Sequence, residues 1–379
     1  MTDRSIRCWI VLAVFSVIAI PANIGPSIAT PQNEMVKFGV SLPMTGDFSE
    51  YGELLFNGMQ LAIDQTNNKG GIDGKQIELV LEDSKGIPEE AERIARKFTQ
   101  DPEILLELGD FSSPASMAAA PIYEQAGMAQ IAPVTSHPDF TRMGDNMVRV
   151  VAIQPVESHF LARYASERLN VSDAAIVYLN NSWGEVAKKA FKEKADEVKI
   201  NVIAEEPIEL GQTNFKDTLE VLMGANPDVV YIASEYAETA RFLEQARDAG
   251  FEAEFMNSGA PQSFELVRVA GDSAEGLIGG ALYHRENPEP TSAAFTADYE
   301  RRFNSQPNLF AALGYDAGLL AVYGAANAKG ERNRVASTIL TLSDFSGATG
   351  HFDYSTSRDP DKNYMATTVQ NGKWVILNN

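Results

Sequence analysis

Ser113 and Ser136 each follow a strand-like apolar run and stand just before a proline, Pro114 and Pro138, suited to start a helix. A hydroxyl beside the free N–H groups of a first helical turn suits a carboxylate, because negative charge is favoured at that end of the helix. Plain N-capping explains the same serines. Tyr51 and Trp183 are each followed by glycine and read as large aromatics at loop tips. An aromatic there covers an apolar or cationic group, or packs on the neighbouring helix. The loops concerned are 45–51, 110–113 with Phe111, 134–136 with Val134, 180–183, 234–236 with Glu235 and Tyr236, and 257–260 with Gly259.

Bond-making machinery is not visible. No Gly-x-Gly-x-x-Gly follows the first strand-like run, and no phosphate loop or Gly-x-Ser-x-Gly elbow occurs. The four histidines, His137, His159, His284 and His351, are scattered, with no His-x-x-x-His pair. No metal and no cofactor is expected, and a binding protein is expected rather than an enzyme. Lys and Arg number 31 against 52 Asp and Glu, a net charge of −21. Phosphate binding needs basic clusters, so nucleic acid is not expected as a partner.

The elements that position these loops alternate. Val36, Phe38, Val40 and Leu42 mark a strand by their period of two. Leu55, Met59, Ala62 and Ile63 follow at helical spacing, and the run from Asn67 to Gly74 ends the helix with glycines that tolerate positive φ. Ile77, Leu79 and Leu81 form the next strand. The same pattern predicts helices from Pro88 and over 115–125, with strands over 104–108 and 128–134. A second series gives strands over 174–179, 202–210, 228–234, 251–256 and 277–283, with helices between them. Two helices, 292–304 and 307–329, and a strand pair turning at Asn371-Gly372 complete the chain. Such alternation implies parallel sheets covered by helices on both faces. Ligands of such sheets bind beyond the carboxyl ends of the strands. Two series in 379 residues imply two α/β lobes.

Residues 1–29 read as a cleavable signal peptide: Arg4 and Arg7, an apolar run from Trp9 to Ile20, then Ser27-Ile28-Ala29. An uncleaved anchor is the alternative. The single cysteine, Cys8, stands in this leader. No later segment reads as long and apolar enough to cross a membrane. An exported chain without disulfides is expected.

The run from Tyr51-Gly52 through Asn67-Asn68-Lys69-Gly70-Gly71-Ile72-Asp73-Gly74 to Glu82-Asp83 resembles the leucine/isoleucine/valine-binding proteins, the type I periplasmic substrate-binding components of ABC importers. Ser112-Ser113, Pro121-Ile122-Tyr123-Glu124, the stretch from Ile131 to Ser136, and Trp183-Gly184-Glu185 add to the likeness. So do the stretch from Gln245 to Gly250, Ala274-Glu275-Gly276 and Gly314-Tyr315-Asp316-Ala317. The resemblance covers about 36–379. It implies two doubly wound parallel-sheet lobes joined by three crossovers, near 153–155, 283–285 and 352–355. One lobe is then 36–153 plus 285–352 and the other 156–283 plus 355–379.

The resemblance further implies hinge closure on an amino acid. Its carboxylate is held by Ser113 and Ser136, and its ammonium is helped by the carbonyl of Val134. Trp183 covers it where the family commonly has tyrosine, and Tyr51 matches a first-lobe aromatic. Phe111 and Tyr236 are secondary candidates. The family's usual ammonium-binding acid aligns near Gly259, which has no side chain, and Glu235 is expected to take over that role. A ligand without an α-amino group, such as an aromatic or aliphatic acid or an amide, is the alternative. The implied partners are membrane permease subunits, the implied place is the periplasm, and a monomer is expected. A periplasmic ligand sensor on the same fold is the second reading.

Overall fold

The structure is a computed structural model that describes residues 35–259 and 262–377. The expected signal peptide lies outside the described residues.

The first half of the chain reads β1 (Val36–Leu42), α1 (Ser49–Asn68), β2 (Ile77–Asp83), α2 (Pro88–Gln100), β3 (Ile104–Gly109), α3 (Ser113–Gln125), β4 (Gln130–Ala132) and β5 (Met147–Arg149). These strands form one parallel sheet, ordered β2-β1-β3-β4-β5. Val40 pairs with Leu81 on one side and Leu108 on the other. The alternation in β1 is not a solvent face, because Gly39 and Ser41 are buried too. A Cβ on Gly39 would meet the Phe98 ring at 2.6 Å, and the Ser41 hydroxyl donates to Asp110. A central parallel strand is covered on both faces, so its small residues face helices rather than water.

The second series is α4 (Gln154–Tyr164), β6 (Asp173–Leu179), α5 (Ser182–Glu197), β7 (Asn201–Ile208), α6 (Lys216–Ala225), β8 (Val229–Ala233), α7 (Tyr236–Asp248), β9 (Glu254–Ser258), α8 (Phe264–Ala270) and β10 (Ile278–Ala281). The chain then returns through α9 (Pro290–Phe303), α10 (Leu309–Ala328), α11 (Val335–Ile339) and the hairpin β11 (Phe345–Gly347) and β12 (Gly350–Phe352). It ends with β13 (Met365–Gln370) and β14 (Lys373–Ile376). The second sheet is ordered β14-β13-β10-β9-β8-β6-β7; its two last strands are antiparallel. They turn at Asn371 and Gly372, both at positive φ.

Helix α10 differs from the sequence expectation. It is long and apolar enough to cross a membrane, yet 72% of the window that qualifies is buried inside the protein. It packs on α1 through glycines. A Cβ on Gly58 would sit 2.0 Å from the Ala311 carbonyl oxygen, and one on Gly314 would sit 2.1 Å from that of Leu55. Its leucines and alanines join the core that covers the first sheet, with Phe38, Val40, Leu106 and Leu108. A separate core, including Ile176, Val177, Tyr231 and Met256, serves the second sheet.

The segment after β12 stays with the first sheet's elements. The Arg149 guanidinium, fully buried, meets Asp359 at 2.7 Å, and Thr141 donates to Asp359. Arg358 reaches Asp145, and the Lys362 ammonium donates to Thr349.

Candidate functional site

A cavity of about 270 Å³ opens beyond the carboxyl ends of both sheets, just under the usual volume of small-molecule sites. From the first sheet come Ser113, Val134, Ser136 and Val151, each in a loop or helix start following a strand; from the second come Leu179, Trp183, Glu235 and Gly259. Phe310 and Leu313 of α10 close one side. Chains emerge there because every β-loop-α connection of a parallel sheet leaves on the same edge.

Of the residues expected from sequence, Phe111, Ser113, Val134, Ser136, Trp183, Glu235 and Gly259 line this cavity. Tyr51 and Tyr236 stand behind its wall. Tyr51 is not at a loop tip: it lies in the first turn of α1 and is fully buried. Its ring stacks on Phe111, 4.3 Å between centroids at 11°, a contact worth roughly 0.5–1.5 kcal/mol beyond burial. Its hydroxyl accepts the Tyr236 N–H at 3.0 Å and bonds the Glu235 carboxyl.

The two serines differ from one another. Ser112, not Ser113, caps α3: its hydroxyl accepts from Ala115 N–H at 3.3 Å. Ser113 is thereby left free of capping, 5% exposed and facing the cavity. Pro138 starts no α-helix; a short 3-10 turn at Phe140–Arg142 stands there instead. The Ser136 hydroxyl donates to Gln154 Oε1 at 3.0 Å and accepts from Trp183 Nε1 at 3.1 Å.

Trp183 is the second residue of α5 rather than a loop-tip residue, and it is 8% exposed. Its Nε1–H is shared between Ser136 and Gln154 Oε1, the latter at 2.9 Å. Its far ring edge fills the space over Gly259: a Cβ there would meet Trp183 Cη2 at 2.7 Å. Gln154 is the hub of this wall. Its amide nitrogen donates to Ser258 at 2.8 Å and reaches Glu157 Oε2 at 3.3 Å.

The carboxyl groups of the cavity have no basic counterpart there. Among the described residues, Glu157, Glu209 and Glu235 line it, and no Lys, Arg or His does. Glu157 Oε2 accepts from the Ser258 hydroxyl at 2.7 Å, while Oε1 is enclosed without a partner. Burial pushes this carboxyl up to about 7, against the bonds from Ser258 and Gln154. Glu235 is half-buried as a residue, but its Oε2 is enclosed and unpartnered. Burial first, then Glu238, pushes it up to about 8, opposed by the Tyr51 hydroxyl. A buried carboxylate without a partner is costly, so each is a standing acceptor for a cation or is held as a neutral acid.

Contacts also join the two sides outside the cavity lining. Glu50, at the start of α1, accepts the Ser263 hydroxyl at 2.6 Å and the backbone N–H groups of Phe264 at 2.9 Å and Glu265 at 3.2 Å. It thus sits on the first turn of α8. Among the described residues no group of three or more His, Cys, Asp or Glu is gathered as a metal would need.

Residues 35–373 match the periplasmic binding protein family. The chain belongs to that family. It is 27% identical over 331 residues to a Leu/Ile/Val-binding protein homolog 2 of Brucella abortus, covering 86% of this chain and 87% of the relative. A solved leucine-binding protein, LivK, of Thermotoga maritima is 27% identical, covers 91% of this chain and 98% of its own, and superposes with a TM-score of 0.85. The branched-chain amino acid substrate-binding protein LivJ of Streptococcus pneumoniae, solved with isoleucine, is 26% identical. It covers 90% of this chain and 99% of its own, with a TM-score of 0.85. The fold is that of a type I periplasmic binding protein: two α/β sheets with a site at their facing strand ends.

Within this family member the sequence reading missed Gln154, Glu157 and Ser258. Gln154 and Glu157 flank Pro155 in the first turn of α4. In sequence such polar residues look like an ordinary solvated helix start. The crossover expected at 153–155 was the available signal, since a polar side chain there stands between two lobes. The cavity's apolar wall from Leu309 to Leu313 was also missed, because α10 reads only as core.

Proposed function

We propose that the protein is the solute receptor of an ABC importer, capturing a small carboxylate-bearing solute, an amino acid of the branched-chain or hydrophobic kind, in the periplasm. The observation that carries this reading is the enclosed cavity at the strand ends, with Ser113 at a helix start on one side and Trp183 on the other. In this reading Ser113, freed from capping by Ser112, meets the carboxylate together with the N–H groups of the first turn of α3. Ser136 acts through its Trp183 and Gln154 bonds. Phe111, Val134, Phe310 and Leu313 enclose the apolar part, and Glu235 takes the ammonium. The Brucella, Thermotoga and Streptococcus proteins are named for leucine, isoleucine and valine or were solved with isoleucine, which supports an amino acid. A solute with a carboxylate but no cation would meet a cavity with acidic side chains and no basic one, so we rank it second.

The mechanism in this reading is closure of two lobes, 36–153 plus 285–352 and 156–283 plus the C-terminal strands. A solute that touches both sides stabilises the closed arrangement; one that touches a single side shifts nothing. We place the third crossover just beyond Lys362 rather than at 352–355, because Tyr354, Arg358, Asp359 and Lys362 all bond first-sheet elements. The closed form is what the membrane permease subunits would meet, with the receptor acting as a monomer and performing no catalysis.

The test is a thermal-shift screen of the protein without residues 1–29 against amino acids, aromatic and aliphatic acids and amides. A true solute raises the melting temperature with concentration. Small-angle scattering with the best solute should show contraction. A screen in which no member of any class shifts the melting temperature overturns the receptor reading.

A further inference from the structure

Glu157 has no role in the capture of a simple hydrophobic amino acid. One ammonium pairs with Glu235 in the reading above, which leaves a second carboxyl lining the same cavity. Glu157 is 7% exposed, its Oε1 has no partner, and Oε2 is fixed by Ser258 and Gln154. Its arm is therefore held while its other oxygen is enclosed at the cavity wall without a partner. Gly280 makes room for it: a Cβ at that position would come within 3.3 Å of Glu157 Cγ and of the Tyr364 ring. Tyr364 lines the cavity too, and burial and the Glu157 charge both hold its hydroxyl well above its ordinary range. A carboxylate beside an aromatic ring suits a protonated nitrogen.

Charge balance leads further. A zwitterion brings one positive and one negative group. With its carboxylate at α3 and its ammonium at Glu235, it leaves Glu157 enclosed and uncompensated, since no Lys, Arg or His lines the cavity among the described residues. One more cation in the solute, or a proton kept on the carboxyl, removes that penalty. The remaining wall, with Leu282, Leu309 and Leu313, suits a methylene stem.

We propose that Glu157 and Tyr364 form a second cation subsite, so that the solute is an amino acid whose apolar side chain ends in a protonated nitrogen. This exchanges the hydrophobic amino acid of the receptor reading for a basic one and rests on the receptor role given there.

The experiment is isothermal titration of the protein with ligand pairs that differ only at the side-chain end: lysine against norleucine, and ornithine against norvaline. The amine-bearing member is expected to bind at least tenfold more tightly. 6-Hydroxynorleucine keeps the length of lysine and replaces the ammonium by a neutral hydroxyl; it should bind like norleucine. Glu157→Gln should abolish the preference, bringing lysine and norleucine to within about twofold of one another. Norleucine binding as tightly as lysine overturns the second subsite and leaves the receptor reading standing. So does a lysine preference unchanged in Glu157→Gln. Should that variant not fold, equal binding of lysine and 6-hydroxynorleucine to the unaltered protein overturns the proposal, and a tenfold difference supports it. No binding by any compound of this panel or of the wider thermal-shift screen overturns the receptor reading, and this inference with it.

Discussion

The indole of Trp183 and the missing side chain of Gly259 are two halves of one contact: Cη2 of the ring stands 2.7 Å from where a Cβ on Gly259 would lie. The large aromatic on α5 and the bare backbone after β9 thus require each other. The same glycine sits at φ +109°, a conformation that side chains rarely adopt. Gly259→Ala is expected to push the indole off Ser136 and Gln154 and to cost about 1–3 kcal/mol of closure, as overpacking does. Solute affinity should fall about 5- to 150-fold. Trp183→Phe, added to it, relieves the clash with the indole but neither the backbone strain nor the 2.9 Å approach to the Ser234 carbonyl oxygen. Calorimetry on the four members of the cycle should therefore show partial recovery, with a coupling above about 0.5 kcal/mol. Simple additivity would refute the contact as the cause.

Glu50 spans the cleft at its rim. It takes three hydrogen bonds from Ser263, Phe264 and Glu265 at the start of α8, and burial raises its carboxyl above the usual range while those bonds oppose the rise. Hydrogen bonds to a charged group contribute about 1.5–3 kcal/mol. They exist only when the two sides are together. Glu50→Ala should therefore weaken solute binding about 10- to 100-fold by displacing the balance toward the open form. The cavity lining would be unchanged. Scattering of the variant without solute should give a larger radius of gyration than the parent; equal radii would show that Glu50 is no latch.

Much of this arrangement is legible before any coordinates. The β1-α1-β2 unit, its Asn67-to-Gly74 turn and the repeated strand, loop and helix identify parallel sheets. Once strand ends are known, the loops with Ser113, Val134, Ser136, Trp183, Glu235 and Gly259 follow from topology. What escaped depends on contacts far apart in sequence. Tyr51-Gly52 reads as a loop tip, yet Gly52 is helical and small for another reason: a Cβ there would meet the Pro43 carbonyl oxygen at 2.0 Å. Glu157 lies two residues past a proline, in the first turn of α4, and looks solvated; its partner Ser258 is 101 residues on. The three-residue strand Met147–Arg149 has too few positions for a period of two to show.

Glu107, in the middle of β3, is fully buried with both carboxyl oxygens unpartnered. Burial and the nearby Asp110 raise its carboxyl well above the ordinary value of 4.5. A folded-state value above the unfolded one means the folded chain keeps the proton. The stability this contributes is complete below about pH 4.5 and is lost as pH rises toward the folded value. Asp110, about 6 through burial, acts with the same sign. Glu107→Gln should flatten the fall in melting temperature between pH 5 and pH 8 and make the variant the more stable of the two at pH 8. Parallel pH profiles for parent and variant would show that Glu107 is paired and charged in solution.

Lys362 is 3% exposed, lies 3.1 Å from the centroid of the Phe352 ring, and donates to Thr349 Oγ1 at 3.2 Å. Thr349 in turn donates to Asp316 of α10, whose carboxylate also takes the Ala348 and Thr349 N–H groups. Burial lowers the ammonium to about 7, against the pull of Asp316. Through Thr349, the two residues tie the segment before β13 to the helix that covers the first sheet. Lys362→Met removes the cation but leaves Asp316 its bonds from Ala348 and Thr349, so it should cost about 1–3 kcal/mol through the acceptor it leaves on Thr349. Asp316→Asn added to it removes the buried charge that Lys362 balances at longer range, so the double variant should lose less than the sum of the two single variants. Denaturant titration of parent, single and double variants measures this. Hydrogen exchange separates the tie from the crossover: in Lys362→Met the amides of 353–362 should exchange faster while those of β13 stay protected. Faster exchange in β13 alone would put the flexible joint on the other side of Lys362.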